Sequence, residues 1–308
     1  MSVLALTRIR KAVGTLNPTP IREMAEYLPR IALYAASTSG YERLENFLLR
    51  DLSPRRRAES APALIRNPNE REPRAYDVVI YDEDVPAPRQ AFVYRLDHEH
   101  QLVEKILSTH QHLGVALAKH FLPFRQLFVE RVIAKTCREN TLFSLATALP
   151  DVIPSIIELP WAVAEFASDT AFLTMNQVHM AFLIAAASDR EVGYARQKSE
   201  IATVIGSAFG WRALARQLVG KVPFGGGLLA KAAVAYAGTR VLGLSLDRLY
   251  RIGYTYTREE RDRVYGDAYS QGKRVAARLL HSLRPDLATK LSGQSSHAPV
   301  TAAESQIY

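Results

Sequence analysis

The spacing of apolar residues changes near residue 97, and this change restricts the fold more than any other feature of the sequence. Before it, residues 31–36 are a continuous apolar run of strand length, residues 76–81 have the composition of a second buried strand, and residues 91–94 are a third candidate strand. Residues 41–49 repeat apolar side chains at helical spacing between the first two. We therefore predict a small α/β unit over residues 1–97.

From residue 98 the apolar spacing is helical throughout. We expect helices over residues 98–120, from 123 towards 149, over 169–187 and over 228–250. Thr257 and Glu260 have the pattern of a capping box, which predicts a further helix to about residue 283. The predicted fold class is mainly α, with a helical domain over residues 98–283 behind the α/β unit. Residues 284–308 have the composition of a disordered tail.

Composition restricts the setting in which the chain folds. With 48% hydrophobic residues in 308, it can bury a sizeable core. Its single cysteine, Cys137, cannot form an intramolecular disulfide, which is typical of a reducing compartment. We expect this thiol to be buried and inert. Residues 1–16 lack the pattern of a secretory signal, so we expect a cytoplasmic protein.

The net charge of +8 is distributed unevenly. Residues 141–187 contain no Lys or Arg, whereas both flanks are basic. Two interpretations remain open: a pair of core helices in a soluble bundle, or a hairpin that contacts the inner face of a membrane and keeps both ends in the cytoplasm. A full span is not expected, since the uncharged run 170–188 contains Asn176, Gln177 and His179.

Residues 51–74 are rich in Pro, Arg and Glu and show little periodicity, so we predict a long basic loop. Its arginines alternate with glutamates and no aromatic platform accompanies them, so we do not expect nucleic-acid binding.

Two segments of the helical part carry a resemblance. Phe209-Gly-Trp-Arg-Ala-Leu-Ala-Arg-Gln-Leu-Val-Gly-Lys-Val-Pro is followed by a triple glycine, and the run Ala167-Ser-Asp-Thr-Ala-Phe-Leu-Thr-Met-Asn-Gln precedes both. Residues 141–280 thereby resemble the YcjF-like domain of unknown function, a helical domain often attached to Era-type small GTPases. The resemblance implies a helical fold and a GTPase as partner, but little chemistry.

The resemblance raises the question of whether the α/β unit is a GTPase domain. A P-loop needs Gly-x-x-x-x-Gly-Lys-Ser/Thr between a strand and a helix, because its amides, lysine and hydroxyl bind phosphates and Mg²⁺. Aligned on Gly40, the motif has Ala35 at the first glycine, Tyr41 at the lysine and Glu42 at the hydroxyl. The phosphate contacts are lost, so we expect a degenerate P-loop-like unit.

Other interpretations of this region stay open. Asp82 follows the second strand as a metal-coordinating aspartate would, but no GTPase switch glycine or base-reading motif follows it. The unit is a degenerate nucleotide-binding fold, an unrelated βα structure, or a divergent NTPase that uses residues 31–83.

A glycine-rich turn is a weak candidate for an anion site. Gly225, Gly226 and Gly227 lie between Lys221 and Lys231 at the start of a helix, which is the geometry of an anion nest. The alternative is a plain reversal between two packed helices, with glycines for close approach.

The remaining candidates are a partner surface and a set of histidines. Arg212 and Arg216 lie one turn apart beside Trp211, and we predict that these three residues bind a partner. Five histidines fall on the helix predicted over residues 98–120, but no pair has metal-ligand spacing, so we expect no metal site; they are His98, His100, His110, His112 and His120.

From these observations we predict a non-catalytic interaction or adaptor protein without a cofactor. We expect a protein partner, such as a small GTPase, and action in the cytoplasm or at the inner membrane face. The alternatives are the divergent NTPase and an integral membrane hairpin protein.

Overall fold

A computed structural model of the chain describes residues 13–66, 68, 75–147, 169–203 and 226–283. The described chain is mostly helical and has a small parallel sheet in its N-terminal region, which confirms the predicted fold class. The predicted tail over residues 284–308 lies outside the described residues. In chain order the helices and strands are α1 (Thr19–Glu26), β1 (Ile31–Tyr34), α2 (Thr38–Leu49), α3 (Pro54–Ser60), β2 (Leu64–Arg66), β3 (Val78–Asp82), β4 (Phe92–Tyr94), α4 (Glu99–Thr109), α5 (Gly114–His120), α6 (Leu122–Ala146), α7 (Asp169–Ala187), α8 (Gly226–Ile252) and α9 (Arg258–Leu283).

The sheet has four strands in the order β2-β1-β3-β4, and all of its pairings are parallel. Ile31, Ala32 and Leu33 of β1 are fully buried, as expected of a central strand in a parallel sheet. The strands predicted over residues 31–36, 76–81 and 91–94 are confirmed as β1, β3 and β4.

The prediction of a long loop over residues 51–74 is wrong in its first part. Residues 54–60 form α3, in which Pro54 occupies the first turn and Ser53 accepts a hydrogen bond from the Arg56 amide. The short strand β2 then pairs with β1. The helix escaped prediction because it has no apolar periodicity and is supported instead by the ion pair between Arg55 and Glu59.

The prediction of a single helix over residues 98–120 is also wrong. It is divided into α4 and α5, with a short 3₁₀ turn after His110, whose backbone leaves the helical region at φ −112° and ψ 56°. Just before the break, the hydroxyls of Ser108 and Thr109 donate to carbonyls four residues earlier, a pattern that weakens a helix. The five histidines therefore do not share one helix.

The apolar core beside the sheet is built from both strands and helices. Ile31, Leu33 and Ile80 contribute from the strands, and α2 contributes Leu44 and Leu48. The same cluster extends into α4, α5 and α6 through Leu102, Val103, Ile106, Leu107, Leu117 and Phe124.

The chain divides into two compact units that are each discontinuous in sequence. The first consists of Met1–Thr136, Met175–Val204 and Leu242–Tyr256 and contains the sheet. The second consists of Cys137–Thr174, Ile205–Val241 and Thr257–Tyr308. Helices α6, α7 and α8 each have residues in both units.

In the second unit, α8 and α9 approach closely. A Cβ added at Gly272 would lie 2.9 Å from the Ala233 carbonyl oxygen and 2.9 Å from the Tyr236 Cβ. Asn140 is fully buried and donates to the Thr239 hydroxyl over 2.8 Å. The predicted capping box is confirmed at the start of α9, where Thr257 and Glu260 exchange hydrogen bonds of 2.9 and 3.2 Å.

Candidate functional site

The strand order creates a crevice at the carboxyl ends of β1 and β3. The chain leaves β1 towards β2 on one side, whereas β3 pairs with β1 on the other side. In open parallel sheets, ligands bind where connections diverge in this way. We call this place the switch-point crevice and define it by Ser37, Gly40, Arg43, Asp82 and Asp84.

Helix α2 begins at the crevice with a conventional cap. Ser37 has extended backbone angles, φ −136° and ψ 158°, and its hydroxyl accepts a hydrogen bond from the Gly40 amide over 3.1 Å. Free amides and the helix dipole make such a start attractive to anions. The predicted strand, loop and helix around Gly40 are thus present, with the loop over residues 35–37.

A carboxylate of the chain itself occupies this start. Asp84 Oδ1 accepts a hydrogen bond from the Ala36 amide over 3.1 Å, and its Oδ2 accepts one from the Ser37 hydroxyl over 3.3 Å. These are the kinds of donors that a bound phosphate would use. Asp84 therefore satisfies two donors of the loop that leads into α2.

The space above the first turn of α2 is closed by two carboxylates. A Cβ added at Gly40 would lie 2.9 Å from Asp82 Oδ2, 3.0 Å from Asp84 Oδ2 and 2.8 Å from the Ala35 Cβ. Glycine is required at this position because the two acidic side chains and the loop approach the helix so closely.

Arg43 pairs with the first of these two acids and lies near the second. Its guanidinium contacts Asp82 Oδ2 and lies 3.7 Å from Asp84 Oδ2. The Asp82 side chain is 1% exposed, and burial raises the pKa of its carboxyl, while the hydrogen bond from Arg43 opposes that rise. Asp82 Oδ1 has no hydrogen-bond partner in the described part of the chain.

The residues at the other P-loop positions do not supply phosphate contacts. Tyr41 is buried in the apolar core, and the guanidinium of Arg66 lies 5.5 Å from the centre of its ring. Glu42 is exposed and adds negative charge. Ala35 packs against the same core cluster. The sequence did not reveal Arg43 or Asp84, although an acidic Asp-Glu-Asp run directly after a strand was a visible signal.

The predicted partner surface cannot be located, because Trp211, Arg212 and Arg216 lie outside the described residues. The same holds for Lys221 and Gly225 of the predicted anion nest.

Three residues of the nest region are described. Gly226 and Gly227 begin α8, and Lys231 Nζ lies 3.5 Å from the Thr147 hydroxyl. The anion nest therefore stays a prediction.

Cys137 is fully buried, as expected. Burial raises the pKa of its thiol, which lies 3.6 Å from the Tyr236 carbonyl oxygen. No cluster of three metal-ligating side chains occurs among the residues that the structure describes.

The apolar segment over residues 141–187 is described at its two ends only, in α6 and α7. Within the described ranges, no helix is long and apolar enough to cross a membrane. In α7, Thr174, Asn176 and Gln177 are buried polar residues.

Comparison with known proteins gives no relative. No protein-family model matches the chain, and neither does any curated protein or solved structure. The resemblance to the YcjF-like domain therefore stays a prediction, and the geometry of the chain itself carries the functional argument.

Proposed function

We propose that this chain is a non-catalytic interaction protein that works with a GTPase or at the inner face of a membrane. The observation that carries the proposal is the position of Asp84, whose carboxylate accepts the donors at the start of α2. A unit that fills its own anion position is suited to act as a scaffold rather than to turn over nucleotide.

Binding of a nucleotide phosphate at the switch-point crevice would be costly. The phosphate would have to displace Asp84 and would then lie beside Asp82, and like charges at such short range repel strongly. Arg43 could compensate only one of them, since its guanidinium already contacts Asp82. These contacts argue against the alternative of a divergent NTPase over residues 31–83.

A second observation favours interaction with another surface. Ile252 and Tyr254 are 47% and 59% exposed, and they lie close together in sequence at the end of α8. The Arg248 guanidinium lies 5.2 Å from the Tyr254 ring and 4.7 Å from the Tyr256 ring. Neighbouring exposed apolar and aromatic side chains mark interaction surfaces more often than isolated ones do.

The nucleotide part of the proposal is tested by isothermal titration calorimetry of the full chain with Mg²⁺ and GTP, GDP or ATP. We expect no saturable heat. Saturable binding at low micromolar concentration that changes in Asp84→Ala would refute the scaffold proposal and support the NTPase. Binding that is unchanged in that variant would lie elsewhere on the molecule.

The interaction part is tested by photo-crosslinking in the source cell. A benzophenone side chain replaces Tyr254 in one variant and Leu96 in another, since Leu96 is 68% exposed and serves as the matched control. We expect position 254 to crosslink to a GTPase that position 96 does not capture. Crosslinks to lipid alone would favour the membrane alternative, and equal labelling at the two positions would count against this surface.

A further inference from the structure

A cleft in the first unit lies apart from the switch-point crevice. It encloses about 390 Å³, which is within the size range of small-molecule sites. Its walls come from α1, from the end of α5 and from the loop after α7. Its charged lining residues are Arg22, Glu26, Lys119, Asp189, Arg190, Glu191 and Arg196. We call it the basic cleft.

The end of α7 explains how one wall forms. The Asp189 amide donates to the Ala186 carbonyl and the Arg190 amide donates to the Ala185 carbonyl, which is the hydrogen-bond pattern of a Schellman motif. Asp189 has φ 57°, a left-handed conformation that aspartate tolerates better than most residues. The chain reverses there, and Arg190 and Glu191 follow directly as lining residues of the cleft.

The cations that line the cleft outnumber its carboxylates by one, and further charged groups lie behind Asp189 and Lys119. Asp189 is contacted by Arg56 and lies 4.0 Å from Lys119 Nζ, and Arg56 Nε also lies 4.0 Å from Glu59 Oε2, so two carboxylates share these two cations. Arg125 adds a third cation beside them, because it donates to the Ala118 and Lys119 carbonyls over 3.2 and 3.3 Å.

Two neighbouring basic groups have lowered pKa values, chiefly because they are buried. Burial, assisted by the charge of Arg56, lowers the pKa of Arg125 to about 10. Burial, assisted by the charges of Lys119 and Arg56, also lowers the pKa of His120, whose ring bonds the Ala25 carbonyl.

At the opening of the cleft, the ion pairs among the lining residues leave two arginines available to a ligand. Glu191 pairs with Arg196 over 2.5 Å. Arg22 and Arg190 are both exposed, and no ion pair joins either of them to a carboxylate among the described side chains that form the cleft. Arg22 donates one hydrogen bond to the Thr19 hydroxyl over 3.1 Å. Glu26 also lines the cleft and adds a negative charge there.

We propose that the basic cleft binds a phosphate-bearing ligand, with Arg22 and Arg190 as its direct contacts and Lys119 and Arg56 as supporting charge. Arginine suits this ligand because its planar guanidinium donates two parallel hydrogen bonds to phosphate oxygens. The volume admits a phosphate with an attached organic group. Such a group is supplied by a soluble phosphorylated compound or by the headgroup of an acidic phospholipid.

The experiment titrates the full chain with inorganic phosphate and with pyrophosphate, and in a second arm measures co-sedimentation with phosphatidylcholine vesicles that contain phosphatidic acid. Plain phosphatidylcholine vesicles are the blank. Saturable binding of pyrophosphate without vesicle binding assigns a soluble ligand, and vesicle binding above the blank assigns a headgroup. Either result supports the proposal if the variants below respond as described.

The variants make the test specific. Arg22→Gln and Arg190→Gln should each weaken binding about tenfold, since each removes charge-assisted hydrogen bonds. Glu26→Gln should tighten binding, because it removes the opposing carboxylate. Arg263→Gln deletes an equal charge at an exposed position of α9 and should change nothing.

The proposal is overturned if neither phosphate, pyrophosphate nor acidic vesicles bind, or if binding is equal in Arg190→Gln and Arg263→Gln. Because Arg22, Glu26 and Arg190 are all exposed, these substitutions should leave the fold intact. Failure of this proposal is distinguishable from failure of the nucleotide part of the proposed function, since nucleotide binding at the switch-point crevice would respond to Asp84→Ala and not to Arg190→Gln.

Discussion

Replacing Asp84 with alanine tests the idea that this carboxylate serves as a built-in anion for α2. The substitution removes the acceptor of two hydrogen bonds, from the Ala36 amide over 3.1 Å and from the Ser37 hydroxyl over 3.3 Å. Hydrogen bonds to a charged group contribute about 1.5–3 kcal/mol each when well formed. The long, partly exposed bonds here belong at or below the lower end of that range.

Two further effects enter the balance and act in opposite directions. Loss of negative charge at the start of a helix costs about 0.3–1 kcal/mol. Relief of the repulsion between Asp84 and the nearby Asp82 recovers part of the loss. We therefore expect Asp84→Ala to lower the free energy of unfolding by roughly 2 kcal/mol. For a unit of this size, that corresponds to a fall in Tm of about 4–8 °C.

Thermal unfolding in chloride and in sulfate at matched ionic strength measures the loss of stability and tests whether the missing carboxylate causes it. Sulfate should restore more of the Tm in Asp84→Ala than in the wild-type chain, because the variant exposes the donors that Asp84 occupied. Glu83→Ala is the control, since it removes an equal charge from an exposed neighbour and should shift Tm little. Equal Tm values for Asp84→Ala and Glu83→Ala would refute the reasoning.

Three further predictions concern packing, burial and pH. In urea unfolding, Gly272→Ala should destabilise the chain by about 1–2 kcal/mol, because its Cβ would meet the backbone of α8. Gly266 on the same helix has open space around it, so Gly266→Ala should stabilise the chain by up to about 1 kcal/mol. A reversed order of the two stabilities would contradict the described packing. Thr239→Val should lower the free energy of unfolding by about 1–3 kcal/mol, because the buried amide of Asn140 loses the Thr239 hydroxyl as its acceptor. In a double-mutant cycle, adding Asn140→Leu should recover part of that loss. Burial lowers the pKa of His179 to about 4. Its contribution to stability is therefore complete above about pH 6.5 and is lost as the pH falls towards 4, by up to about 3 kcal/mol. His179→Gln should flatten that part of the profile of stability against pH, and an unchanged slope would show that the imidazole protonates freely in the folded chain.

The limits of sequence-based prediction are visible in the sheet. β1 and the first four residues of β3 are continuous apolar runs, because buried parallel strands need apolar side chains on both faces. β2 has only three residues, none of them fully buried, and it leaves no such pattern. Nearby, α3 is held by a cap and by charged pairs rather than by an apolar face, so it resembles a loop in sequence.

The features of the candidate site that depend on neighbouring residues could be predicted from the sequence, whereas its contacts between distant residues could not. Gly40 correctly indicates a strand, a loop and a helix, since these features depend on neighbouring residues. The contact that closes the crevice joins Ala36 to Asp84 across 48 positions. Spacing alone carries no signal for such a contact. Gly40 therefore matched a phosphate-binding motif in sequence, although in the structure its missing side chain makes room for acids.

The discontinuous units have a consequence for the order in which a growing chain can fold. The unit that contains the sheet also includes Leu242–Tyr256, so it stays incomplete until residue 256 has left the ribosome. All four strands emerge with residue 94. At ordinary rates of translation, the interval between these two moments lasts on the order of ten seconds. During that time the nascent chain holds apolar surface whose final partners do not yet exist, and we expect it to depend on chaperones more than a protein whose domains follow one another along the sequence.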